Sequence, residues 1–153
     1  MHTHLHDTVM QVAGRAIGFL LRRGVRLGPM MLLTVRGRRT GQPRTNPVDL
    51  FERDDQRWLV STHGAGDSNW VRNLRVAGEG TLARGRQWYS FTAVELAPDD
   101  TARVLHEVLG PRLARPVAGF VLRRTLHLAA NPPFDAFEKA APVHPVFELT
   151  MRA

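Results

Sequence analysis

The chain contains no cysteine. That absence excludes disulfides, thiolate zinc sites, iron–sulfur clusters and cysteine nucleophiles together. A cytoplasmic location is the expectation that fits it. Long apolar runs are also missing: the best, residues 30–35, is far too short to cross a bilayer. Residues 1–7 carry no charged segment leading into an apolar stretch, so no signal peptide is expected. Instead His2, His4 and His6 alternate at a terminus expected to lack fixed structure, where they would bind a transition metal only adventitiously. No metal site is expected. His106, His127 and His144 stand isolated, Glu107 and Asp135 have no carboxylate partner at a usable spacing, and no Ser-His-Asp order is present. There is one tyrosine, Tyr89, and one lysine, Lys139, among 21 basic residues.

What is present is an ordinary globular composition. The 153 residues, 43% hydrophobic and 23% charged, match a single domain spanning 1–153. The formal charge of +7 points to an anionic partner. Nucleic acid is not expected, because few aromatics interleave the arginines. Arginine in place of lysine throughout is also what a GC-rich coding sequence produces. An anionic small molecule or cofactor is the better reading.

Residues 7–23 place Val9, Val12, Ala13, Ala16, Ile17, Leu20 and Leu21 at helical spacing, with Asp7 as N-cap and Gly24 as stop. This amphipathic helix either covers a core or makes peripheral contact with a membrane surface. From residue 30 the period changes. Strands are expected at 30–36, 45–52 (with Pro47 as a break or an edge) and 57–62, the last two joined by a turn at Asp54-Asp55-Gln56. A glycine loop at 63–68 leads into a short helix at 69–76, capped by Ser68 or Asn69. Two more strands, 81–83 and 87–96, flank Gly85-Arg86. Pro98, Asp99 and Asp100 open a helix that Gly110-Pro111 should end. A further helix at 117–128 and a last strand at 146–151 complete the reading. Strands joined by hairpins pair antiparallel, which excludes a doubly wound sheet. The expected fold is α+β, mainly β with surface helices: a closed or partly closed antiparallel barrel.

Two segments carry candidate chemistry. In GRRTGQPR, residues 37–44, three arginines and a hydroxyl flank glycines that let backbone N–H groups approach a ligand. Guanidinium forks suit phosphate oxygens, although a solvated basic hairpin turn would look the same. In the second, Ser61 and Thr62 lead through His63, Gly64, Ala65 and Gly66 into the helix NWVRNL. A strand end, a glycine loop and a helix N-terminus form a concave place lined with backbone donors. Trp70 suits a planar ring there, with Asn69 or Asn73 bonding its substituents, or else Trp70 is simply a core residue.

Together the two segments resemble the deazaflavin (F420)-dependent nitroreductase family, the split β-barrel oxidoreductases. GRRTGQPRTNP at 37–47 is similar to the family pattern G-R-[KR]-[ST]-G-x-P-R-x-x-P, and NWVRNL at 69–74 to its W-x-x-N-[LV] helix. The resemblance implies an FMN-binding split-barrel-like fold. It also implies that Arg38, Arg39, Thr40, Gly41 and Arg44 hold the cofactor's phosphate and that Asn46 and Pro47 lie near the ring-side strand. Thr62, His63, Gly64 and Ala65 would face the deazaflavin ring, supported by Trp70 and Asn73. His63 stands where relatives commonly have lysine, and is the one candidate proton donor. A tyrosine linked to substrate handling in the C-terminal part of nitroreductase relatives has no counterpart here; the tail carries Phe134, Phe137 and Phe147.

The implied activity is hydride transfer from reduced F420 to a small activated acceptor, a quinone, enone or nitro compound. Two other readings stand beside it. One is an FMN-dependent reductase; the other is a non-catalytic split-barrel binder of a lipid, haem or other planar ligand. Split-barrel relatives occur as monomers and homodimers.

Overall fold

A computed structural model describes residues 2–62 and 68–152. Six strands form a closed antiparallel barrel: β1 (Met30–Arg36), β2 (Pro43–Arg53), β3 (Gln56–Val60), β4 (Glu79–Arg84), β5 (Gln87–Glu95) and β6 (Val146–Met151). Their order around the barrel is β1-β2-β3-β6-β5-β4, closed by β4 against β1. The helices are α1 (His2–Arg22), α2 (Asn69–Ala77), α3 (Pro98–Val104), α4 (Gly110–Leu113), α5 (Ala118–Leu126) and α6 (Phe134–Ala140). The antiparallel barrel with surface helices expected from the hairpins is therefore the fold observed.

Side-chain alternation divides the core in two. Met31, Leu33 and Val35 of β1, Leu59 of β3, Leu82 of β4, Phe91 of β5 and Phe147 of β6 meet with Val71 and Leu74 of α2 in one cluster. Phe51, Trp58, Val60 and Val146 instead pack against the helices of the C-terminal half, with Leu105, Leu109, Leu113 and Phe137. Strands β1 and β3 are covered on both faces, which is why each reads as an apolar run rather than an alternation. Each fully buried Leu or Phe contributes about 1.5–3 kcal/mol, so these two clusters hold the barrel wall from both sides.

Helix α1 packs on β1, β2 and β4. It starts at His2, so Asp7 lies inside it rather than capping it, and the terminus expected to lack fixed structure is helical. Leu21 is fully buried while Val12, Phe19 and Leu20 face outward. Gly24, at φ +82, ends the helix as expected. Its contact with Gly85 is close: a Cβ on Gly85 would stand 3.0 Å from the Gly24 Cα.

Pro47 does not break β2, which runs unbroken for 11 residues. Its ladder to β1 is continuous, with Pro47 opposite Leu32, but β3 joins the other side only from Asp49. The missing N–H of Pro47 thus falls where β2 is an edge. Helix α3 does not stop at Gly110-Pro111 either. Residues Leu105–Leu109 form a π turn, and the chain continues helically through α4 to Leu113. The wider turn accommodates the donor that Pro111 lacks. Helix α6 has no counterpart in the sequence reading. Among the described residues no helix is long and apolar enough to cross a membrane.

Candidate functional site

The basic turn is a tight bracket between β1 and β2. The Gly37 N–H donates to Gln42 O at 2.8 Å, and the Gly41 N–H to Gly37 O at 2.9 Å. Gly41 has φ +71, a conformation open to glycine at little cost. The Thr40 hydroxyl accepts from the Gln42 N–H at 3.3 Å. This folding sends Arg38, Arg39 and Arg44 to one side, around a cavity of about 600 Å³ that Thr40, Asn46, Asn69 and Asn73 also line.

Helix α2 anchors one of the three. Asn69 and Asn73 are four residues apart and share a helix face. Asn73 Oδ1 accepts from Arg38 Nη1 at 2.9 Å and from the Arg38 backbone N–H at 3.2 Å. Asn69 Oδ1 accepts longer bonds from the same guanidinium, at 3.4 and 3.5 Å. Arg39 and Arg44 have no hydrogen-bond or carboxylate partner among the described residues. Among the described residues no carboxylate lines the cavity. Its donors thus fit an anionic group with several oxygens, such as the phosphate-bearing tail that the resemblance implies.

A second cavity, of about 670 Å³, opens farther along β2. Met31, Leu50 and Phe51 form one wall, Val121 and Leu122 of α5 the other, and Thr62 lies at its edge. Thr62 is buried and donates its hydroxyl to Asp49 Oδ2 at 2.8 Å. This bond ties the end of β3, where the chain enters residues 63–67, to β2. Just before it, Ser61 is fixed from the other side: its N–H donates to Pro145 O at 2.9 Å and its carbonyl lies 2.8 Å from His144 Nδ1. From Arg44 to Asp49 the strand advances about 17 Å at about 3.4 Å per residue, so the two cavities lie at opposite ends of one strand.

The structure therefore separates residues that the sequence placed together. Arg38, Arg39, Thr40, Arg44 and Asn46 gather at the basic cavity, and Thr62 stands at the apolar one. Asn73 bonds Arg38 at the basic cavity. Trp70 is half-buried, tilted against Phe147 at 6.0 Å between centroids, and belongs to the barrel core. Pro47 sits in the β1–β2 ladder. The expectations for His63, Gly64 and Ala65 lie outside the described residues. Of the aromatic tail, Phe137 and Phe147 are buried in the core, and Phe134 packs edge-on to His106 at 5.4 Å. The sequence reading overlooked Arg112 and Arg115, which line the second cavity. Nothing in the sequence around them singles these two arginines out.

Comparison with known proteins bears on the fold and the family. Solved structures share the fold at a TM-score of 0.50, two of them as follows. One, described as a domain-swapped dimer, is 19% identical, with 95% of this chain and 98% of that one covered. The other is a conserved hypothetical protein, Rv2991, from Mycobacterium tuberculosis, 16% identical over 82% of this chain and 74% of its own. A structure described as an F420-H2 dependent reductase, FDR-A, is 18% identical over 83% of this chain and 100% of its own, at a TM-score of 0.48. No curated protein matches. The family model described as F420H(2)-dependent quinone reductase matches residues 4–113, most of the chain. The chain belongs to that family, and is an oxidoreductase that works with coenzyme F420.

Proposed function

We propose that the protein reduces a small activated acceptor (a quinone, enone or nitro compound) by hydride transfer, with the cofactor lying along β2. The observation that carries this reading is the pair of cavities at the two ends of that strand, one cationic and one largely apolar. When bound, reduced F420 supplies a hydride from a ring carbon. The acceptor gains that hydride, and a proton from solvent completes the two-electron reduction.

The chain's own residues bind, orient and exclude water. Arg38, Arg39 and Arg44 hold the phosphate with Thr40 and Gly41, and Asn73 fixes the direction of Arg38. Asn46 and Pro47 lie on the strand between the two ends. Thr62, held by Asp49, orients the chain at the ring end. The apolar wall formed by Phe51, Val121 and Leu122 keeps water from the acceptor. We read residues 1–153 as one domain and the protein as a homodimer. In support, a structure of the same fold is described as a domain-swapped dimer, and β5 leaves Trp88 and Val94 about two-thirds exposed.

The test is a fluorescence titration with oxidised F420 beside FMN and FAD, followed by turnover of menadione with reduced F420. Saturable, selective F420 binding with menadione reduction is expected. Binding of FMN in preference to F420, or binding without turnover of any quinone, enone or nitro compound, overturns the reading. Light scattering on the purified protein decides between dimer and monomer.

A further inference from the structure

The apolar cavity has a cationic edge that neither its packing nor the basic turn explains. Arg112 is half-buried, with its guanidinium 4.9 Å above the Phe51 ring centroid. Among the described residues its side chain makes one hydrogen bond, from Nη1 to Val108 O at 2.6 Å. A guanidinium has five N–H donors, so most of its capacity is unspent. Arg115 lies one turn on, exposed and near enough to act on it. Burial first, and Arg115 second, lower the Arg112 pKa from its ordinary value. Neither arginine has a carboxylate partner among the described residues.

Among the described residues, the two carboxylates that line the cavity are engaged elsewhere. Asp49 accepts from Thr62, and Glu52 accepts from Arg57 Nε at 3.1 Å. Leu50 and Phe51 of β2 and Val121 and Leu122 of α5 give the cavity apolar walls, while α4 and the residues after it bring two like charges together at one side and Arg84 of β4 adds a third cation to the lining. Holding them there without a counter-ion is unfavourable, and an anion between them removes the cost. The neutral alternative is that Arg112 only packs on Phe51 and caps the preceding turn; it accounts for one side chain and leaves Arg115 unexplained.

We infer that this cavity selects acceptors with a planar apolar body and one anionic oxygen group, a carboxylate in the simplest case, held by Arg112 and Arg115 while the body lies against Phe51 and Leu122. The inference rests on the reading that this cavity is the acceptor side of the site. Both arginines are positioning residues: they orient the acceptor and take no part in the transfer.

The experiment compares 2-naphthoate with 2-naphthamide, which share a shape and differ in charge. Both are titrated into the full chain by calorimetry, with and without F420. Naphthoate is expected to bind more tightly by about tenfold or more, the scale of a charge-assisted hydrogen bond. The preference should shrink with added salt. It should vanish in Arg112→Gln and fall in Arg115→Gln, while Arg86→Gln retains it. Should Arg112→Gln fail to fold, the exposed Arg115 still provides the test. Equal affinities, no binding of either probe, or a preference untouched by Arg115→Gln overturns the inference. So does displacement of naphthoate by F420, which would make the cavity part of the cofactor's own site. If F420 binds normally and charge selectivity is absent, only the acceptor class is wrong. If charge selectivity is present and F420 does not bind, the proposed reaction is wrong and the cavity's role as an acceptor site falls with it.

Discussion

Asn73 Oδ1 holds Arg38 by two handles, its guanidinium at 2.9 Å and its own backbone N–H at 3.2 Å. One buried amide thus links helix α2 to the basic turn and sets both the path of the turn and the aim of its first cation. The arrangement explains why the basic turn and a helix residue 35 positions downstream work as one unit: neither alone fixes the cavity between them.

Two substitutions separate these roles. Asn73→Ala removes the acceptor and leaves a part-buried N–H without a partner, which costs about 1–3 kcal/mol. F420 affinity should fall with it, because Arg38 loses its orientation. Asn73→Asp keeps the acceptor and adds a negative charge beside the cations. Its stability in denaturant should stay near the parent's while F420 affinity drops. Unchanged F420 affinity in both variants would show that Arg38 does not contact the cofactor.

Arg39 and Arg44 provide the complementary case. Neither has a structural partner among the described residues, so Arg39→Ala and Arg44→Ala should move stability by only about ±0.5 kcal/mol. Their combined loss should weaken F420 binding several-fold and flatten its dependence on ionic strength, since fewer screened charges face the anion. The Arg38, Arg39 and Arg44 triple alanine variant should bind weakest. Titrations at two salt concentrations check both points, and an unaltered salt dependence would place the phosphate elsewhere.

Most strand positions and the basic turn were legible because they rest on local chemistry. The apolar run of β1, the paired aspartates at 54 and 55, and the glycines at 37 and 41 each report a backbone requirement to nearby residues. What was not legible depends on distant packing. The helix through Gly110-Pro111 survives because a π turn and the buried Leu109 and Leu113 outweigh a local stop signal. Asn73 suited ring recognition in the sequence as well as it suits Arg38; its bond to Arg38 becomes visible only once the barrel brings α2 against the turn. Arg112 and Arg115 carried no visible meaning until Phe51 and α5 were placed across from them.

The hairpin between β2 and β3 holds two non-glycine residues in the left-handed region, Asp54 at φ 50 and Asp55 at φ 65. Two consecutive positive φ values match the twist of the flanking strands, but Asp-Gly serves that turn better than Asp-Asp. Asp55→Gly should therefore stabilise the protein by a few tenths to about 1 kcal/mol, the left-handed strain relieved exceeding the entropy glycine adds to the unfolded chain. Loss of one of two adjacent carboxylates acts in the same direction. A thermal melt reads the gain, and a lowered midpoint would mean that Asp55 makes a compensating bond.

At Gly119, α5 meets the end of α4 with no room for a side chain. A Cβ there would stand 2.8 Å from the Arg112 carbonyl oxygen and against Leu113, whose carbonyl also accepts from Arg123 Nη1. These are backbone atoms, with no flexible side chain to yield, so α5 must move away from α4 to admit a methyl group. Gly119→Ala should cost about 1–3 kcal/mol, the usual penalty of overpacking, despite alanine's better helix propensity. For a chain of this size that is roughly 2–4 °C in melting temperature per kcal/mol. The same displacement shifts Arg112 against Phe51, while the basic turn, on the far end of β2, is untouched. F420 affinity should then hold near the parent value while the naphthoate preference declines. A variant as stable as the parent would show that α4 and α5 do not pack as closely as their backbones indicate.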